Sequence, residues 1–96
     1  MKPSAVIVDV DGTICDVSAI RHHVTGPSKS RDFDAFHAAA ANCPPIVEAI
    51  TWIEQMADAG HRIVVVTARM EKFRALTQAW IDQHVTRPIA DLVMRA

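Results

Sequence analysis

Two stretches of this chain are almost continuously apolar and rich in β-branched residues: Ala5-Val6-Ile7-Val8-Asp9-Val10 and Ile63-Val64-Val65-Val66. Runs of this kind predict strands buried on both faces, as in a parallel sheet. The first strand is expected over 5–10 and the second over His61 to Thr67. A third, short strand is expected at Asp91-Leu92-Val93-Met94. Between them the apolar period lengthens to that of a helix. Ile46, Ala49, Ile50, Ile53, Met56 and Ala57 form one stripe, with Glu48, Thr51, Gln55 and Asp58 mostly opposite. This predicts a helix from about Pro45 to Ala59, with proline in its first turn and Gly60 as its stop. A second helix is expected from Glu71 to His84, with Phe73, Leu76, Trp80 and Ile81 turned to the core.

The stretch 16–45 is less regular. His22, His23, Thr25, Gly26, Pro27, Ser28, Lys29 and Ser30 read as a polar loop. Asp32 to Ala41 reads as a short helix carrying Phe33, Phe36, His37 and Ala40 on one face. Asn42-Cys43-Pro44-Pro45 ends it, because proline lacks the amide and restricts its predecessor. The order is strand, helical insert, helix, strand, helix, strand. That alternation predicts an α/β fold: a parallel sheet of about three strands with right-handed crossovers and flanking helices. The 96 residues are expected to make a single domain over 1–96, with the insert at about 16–45.

Composition narrows the class. Half the residues are hydrophobic, 22% are charged and the net charge is −1, the balance of a soluble globular chain with no overall basic signal for nucleic acid. The two cysteines, Cys15 and Cys43, have no metal-ligand spacing and suggest no disulfide framework. A reduced, cytoplasmic setting is expected. Met1 to Ala5 shows no leader pattern, and no stretch approaches the ~20 apolar residues of a membrane helix.

In open parallel sheets, ligands bind at the carboxyl ends of the strands. Two polar clusters are predicted there: Asp9-Val10-Asp11-Gly12-Thr13 and Thr67-Ala68-Arg69. Strand period places Asp9 and Asp11 on the same side, where two carboxylates call for a cation or proton between them. Oxygen donors of this kind suit Mg²⁺. One aspartate could serve as a nucleophile, and the other could donate and accept the proton. Gly12 permits a turn through which amides approach a phosphate. Thr67 and the amides that follow it could hold phosphate oxygens, with Arg69 beside them. The bland readings are a strand-end Asp-Gly turn, a structural threonine cap and a solvated arginine. An EF-hand is disfavoured, because Gly12 follows Asp11 directly after a strand.

These residues carry a resemblance. Val6-Ile7-Val8-Asp9-Val10-Asp11-Gly12-Thr13 resembles the first motif of the haloacid-dehalogenase-like superfamily, and Val64-Val65-Val66-Thr67-Ala68-Arg69 resembles the second. The series Arg31 to His37, Asn42-Cys43-Pro44-Pro45 and Gly60 to Arg69 is similar to the phosphatase domain of phage and bacterial polynucleotide kinases. The resemblance implies that Asp9 is the nucleophile and a Mg²⁺ ligand. It implies that Asp11 is the general acid/base and binds Mg²⁺ through its carbonyl. Gly12, Thr13, Thr67, Ala68 and Arg69 would then surround the phosphoryl group, and the Arg31–Ala41 segment would flank the pocket. The implied substrate is a 3′-phosphorylated nucleic-acid end. The superfamily's third motif, a lysine, and its fourth, an acidic pair, have no counterpart among residues 1–96. A C-terminally shortened form of the fold is therefore expected.

Three readings compete. The first is a Mg²⁺-dependent phosphatase acting through an aspartyl-phosphate on nucleic-acid 3′-phosphates, or on nucleotides and other small phosphoesters. The second is a catalytically incomplete relative that binds phosphate or nucleic acid, or serves assembly. The third is a piece of a longer protein. An uncovered outer edge on the first strand would invite a second copy, so a homo-oligomer is expected. Of the histidines, His37 is the one placed to line a pocket; His22 and His23 lie in a loop with no partner at ligand spacing, and His61 and His84 flank helices or strands. Trp52 and Trp80 read as packing residues. Phe33 and Phe36 read as core or pocket wall, with the option of stacking on a base.

Overall fold

The computed structural model describes residues 4–27 and 31–96. Ser28, Lys29 and Ser30 of the expected loop, and Met1, Lys2 and Pro3 before the first strand, lie outside the described residues. The elements run β1 (Ala5–Val8), a 3-10 turn (Ser18–His23), α1 (Phe33–Ala39), α2 (Val47–Asp58), β2 (Arg62–Met70), α3 (Arg74–His84) and β3 (Asp91–Arg95). The strands form one parallel sheet in the order β1-β2-β3. Ala5 stands opposite Arg62 and Val8 opposite Val65, while Val64 stands opposite Asp91 and Val66 opposite Val93. This is the α/β architecture expected.

The expectation of strands buried on both faces is corrected. Val8, Ile63, Val65, Thr67, Arg69 and Leu92 are buried, whereas Ile7, Val66, Ala68, Met70 and Val93, which alternate with them, are exposed. Ile7 is 74% exposed. Among the described residues the helices cover one face, and the other stays open. A continuous β-branched run therefore marks a strand here without two-sided cover.

The covered face holds the core. Ile50 and Ile53 of α2 and Trp80 and Ile81 of α3 pack with Val8, Val65 and Leu92. Each such side chain contributes about 1.5–3 kcal/mol relative to exposure. Trp80 is buried with its polar edge satisfied, because Nε1 donates to the Cys43 carbonyl at 2.8 Å. Leu76, expected in the core, is 41% exposed; Thr77 takes the buried position beside it.

Local chemistry sets the element ends. The Asp32 carboxylate caps α1 by accepting from the Ala35 amide at 2.9 Å. α2 begins at Val47 rather than Pro45. The Ile46 amide donates to the Ile14 carbonyl at 2.7 Å, which keeps this residue extended, and Pro45 bridges to Cys15. Gly60 closes α2 as expected, at φ +97° in the left-handed region. β1 stops at Val8, two residues early. β2 runs on to Met70 through an irregularity between Val66 and Met70, so a 3-10 turn at Glu71–Phe73 precedes α3. The Ser18–His23 turn lies in the less regular stretch 16–45 and overlaps the expected loop at His22 and His23. No described helix is long and apolar enough to cross a membrane.

Candidate active site at the carboxyl ends of β1 and β2

The segment after β1 folds around a single oxygen. The Val10 carbonyl accepts from the amides of Thr13 at 3.2 Å, Ile14 at 3.0 Å and Cys15 at 3.0 Å. The turn requires Gly12, whose φ is +76°. A Cβ there would meet nothing within 4 Å, so the demand is conformational and not one of space. Ile14 and Cys15 are buried, which anchors the loop, while Gly12 and Thr13 stay exposed at its crest.

Asp9 stands just beyond β1 with an exposed side chain, and its Oδ1 accepts from the Val10 amide at 2.7 Å. Asp11 has different surroundings. Arg69 Nη2 donates to its Oδ1 at 2.6 Å and Arg69 Nε to its Oδ2 at 3.2 Å, a two-pronged pair between the loop after β1 and β2. Arg69 is 1% exposed and Asp11 22%. Arg69 Nη1 also donates to Thr77 Oγ1 at 3.1 Å, which ties α3 to the loop. Burial works against the guanidinium charge, but the Asp11 bonds outweigh it, and the Arg69 pKa is raised. Because the strand ends at Val8, the period-two argument for both carboxylates on one side does not carry through to Asp11.

Thr67 is buried on β2, with Oγ1 accepting from the Arg69 amide at 3.1 Å, and Ala68 is exposed. Thr67 lies within the strand and not at a helix start, since α3 opens at Arg74. Arg69 reaches inward to Asp11 and Thr77 rather than outward to solvent.

Asp11 borders two cavities. One, of about 420 Å³, includes Gly12, Asp16, Ser18 and Arg21 in its wall. The Asp16 carboxyl is held below its usual range by hydrogen bonds from Ser18. The other, also about 420 Å³, is lined by Phe33, Phe36, His37, Met70 and Arg95 among others. Sequence reasoning missed Thr77, Asp16, Arg21 and Arg95. Thr77 had a signal: a small polar residue on the helix face otherwise occupied by Trp80 and Ile81. Among the described residues no group of three or more His, Cys, Asp and Glu is placed to hold a metal. The exposed Asp9 carboxylate and the Asp11 carbonyl still offer hard oxygens of the kind Mg²⁺ takes, with water and phosphate filling the rest of its shell, while both Asp11 carboxylate oxygens are taken up by Arg69.

A chain in the "Structure of Pnkp1/Rnl/Hen1 complex" resembles this one with a TM-score of 0.71 and 16% sequence identity. The match covers 97% of this chain and 28% of that chain, so this chain spans well under a third of that one's length. At that identity the likeness shows the fold. A comparison with curated proteins gives no match. The family model described as the polynucleotide kinase PNKP phosphatase domain matches residues 3–96, and the chain belongs to that family.

Proposed function

We propose that this chain carries the phosphoryl-transfer half-site of a phosphatase acting on 3′-phosphorylated nucleic-acid ends. The supporting observation is the contrast between two neighbouring aspartates: Asp9 exposed, and Asp11 held by a buried arginine. Asp9 would be the nucleophile. Its carboxylate oxygen bonds to phosphorus, the ester oxygen leaves, and water later cleaves the aspartyl-phosphate to regenerate Asp9. Asp11 would give a proton to the leaving oxygen and take one from the water, which requires its carboxyl to turn from Arg69 toward solvent, since in the ion pair both its oxygens accept and it carries no proton to give. Asp9 and the Asp11 carbonyl would hold Mg²⁺, which when bound offsets phosphate charge. Gly12, Thr13 and Ala68 are exposed around this point; Thr67 and Arg69 support it from within.

The domain boundary at 1–96, the cytoplasmic setting and self-association belong to the same reading. Cys15 and Cys43 are free and buried, in keeping with a reducing compartment. The open sheet face, with Ile7, Val66, Met70 and Val93, supports pairing with a second copy. The test of the chemistry is Asp9→Asn, assayed on a 3′-phosphorylated oligonucleotide with Mg²⁺. Hydrolysis is expected to vanish while circular dichroism is unchanged. Undiminished hydrolysis in a preparation free of other phosphatases refutes the nucleophile. Absence of hydrolysis in the wild type, with Mg²⁺ and phosphate still bound, favours a binding module.

A further inference from the structure

The cavity beside Asp11 that runs under α1 is mostly apolar, yet its wall includes a buried polar atom that no described residue pairs with. His37 is 7% exposed, and its Nδ1 is buried with no hydrogen bond. Buried polar groups are nearly always paired, so this atom calls for a partner from outside the described residues, an ordered water or a polar group of a ligand. Around it stand three aromatic rings. Phe36 meets His37 edge-on at 5.3 Å between centroids, Phe73 lies at 5.3 Å and Phe33 at 6.4 Å. Phe33 is 52% exposed, an unusual state for a phenyl ring and one suited to stacking. Asp11 is part of the same wall, so a group lodged here reaches the phosphoryl site.

From this juxtaposition we infer that the His37 cavity is a nucleobase pocket, holding the base whose sugar bears the 3′-phosphate. The inference rests on the phosphatase reading for the phosphate alone; the base pocket stands on its own geometry. The volume, about 420 Å³, lies within the range of about 300–1,000 Å³ common for small-molecule sites. A base offers a π-face to Phe33 and a hydrogen-bonding edge to the imidazole. Burial keeps the ring neutral, since it holds the His37 pKa below the ordinary value, so one nitrogen donates and the other accepts. The terminal torsion of an imidazole is roughly two-fold, so a half-turn of the ring exchanges the positions of its nitrogen and carbon atoms. A bare sugar phosphate would leave the aromatic wall unused.

The test is titration of the full chain with adenosine 3′-monophosphate, adenosine and inorganic phosphate, following the His37 ring resonances by NMR. Adenosine alone is expected to move those resonances. Phe33→Ala is expected to weaken adenosine binding about ten-fold, the loss of one stacking contact, with phosphate affinity unchanged. His37→Phe should weaken it about five-fold, the loss of one hydrogen bond. Should that variant fail to fold, Phe33→Ala at its exposed position carries the test. Unmoved His37 resonances in adenosine, or equal phosphate and nucleotide affinities indifferent to Phe33→Ala, overturn the proposal. Adenosine binding without any hydrolysis supports the pocket and rejects the phosphatase reading; hydrolysis without an adenosine response does the reverse.

Discussion

Replacing Asp11 with alanine removes the carboxylate that meets Arg69 at 2.6 and 3.2 Å. The guanidinium left behind is 1% exposed, and its remaining bond goes to the Thr77 hydroxyl at 3.1 Å. Breaking a buried pair in this way costs about 3–5 kcal/mol, because the orphaned charge stays desolvated. Asp11 is 22% exposed, so some water can reach the vacated space, and a loss near the lower end, about 3 kcal/mol, is expected. That is a large part of the ~5–15 kcal/mol of a typical domain. Arg69→Met should cost less, about 1–2 kcal/mol, since the carboxylate it abandons can turn to water. The double variant should cost less than the two singles added together, because no buried charge remains. Urea titration followed by tryptophan fluorescence, to which the buried Trp80 and the exposed Trp52 both contribute, measures all three. With a slope near 2 kcal/mol/M, Asp11→Ala should lower the midpoint by about 1.5 M. Strict additivity, or a cost for Asp11→Ala below about 1 kcal/mol, refutes the reasoning. Lost activity in Asp11 variants is confounded by lost stability, whereas Asp9, exposed and, among the described residues, partnered by the neighbouring Val10 amide, is the cleaner probe.

Burial pushes the Cys15 thiol up to about 11. At pH 8 its thiolate fraction should be about 100-fold below that of an unperturbed thiol, and iodoacetamide should label the native chain far more slowly than the unfolded one; equal rates would contradict the burial. Burial, followed by Asp11, Arg69, Asp34 and Lys72 with opposing signs, depresses the His37 pKa. The unfolded chain thus takes up this proton first as pH falls below about 6.5, so stability should be flat above that value and decline beneath it. His37→Phe should flatten this decline in denaturation midpoints taken from pH 7.5 to 5, and an unchanged slope rejects the assignment. Ile7→Glu, placing charge on the open sheet face, should shift sedimentation equilibrium toward the monomer. A wild-type chain that is monomeric at every concentration removes the basis for self-association.

The sequence announced its parallel strands and helices through β-branched runs and a 3.6-residue stripe, because those periods are local. It did not disclose that one face would lie open. Ile7 and Val8 are chemically alike, and only the placement of α2 and α3 separates 74% exposure from 5%. Gly12 was legible from its type, since the turn needs positive φ. The pairing of Asp11 with Arg69 was not, because the partners lie 58 residues apart and meet through strand register. Leu76 misled for a related reason: its place on the helical stripe suited burial, but the buried neighbour Thr77 is needed by Arg69.

The convergence of three amides on the Val10 carbonyl makes the turn a single exchange unit. A carbonyl has two lone pairs, and the donors of Thr13, Ile14 and Cys15 share them. Swinging that one oxygen aside would open all three to deuterium at once. Their exchange should therefore follow a common opening free energy, and a phosphate bound at the crest should slow the three together.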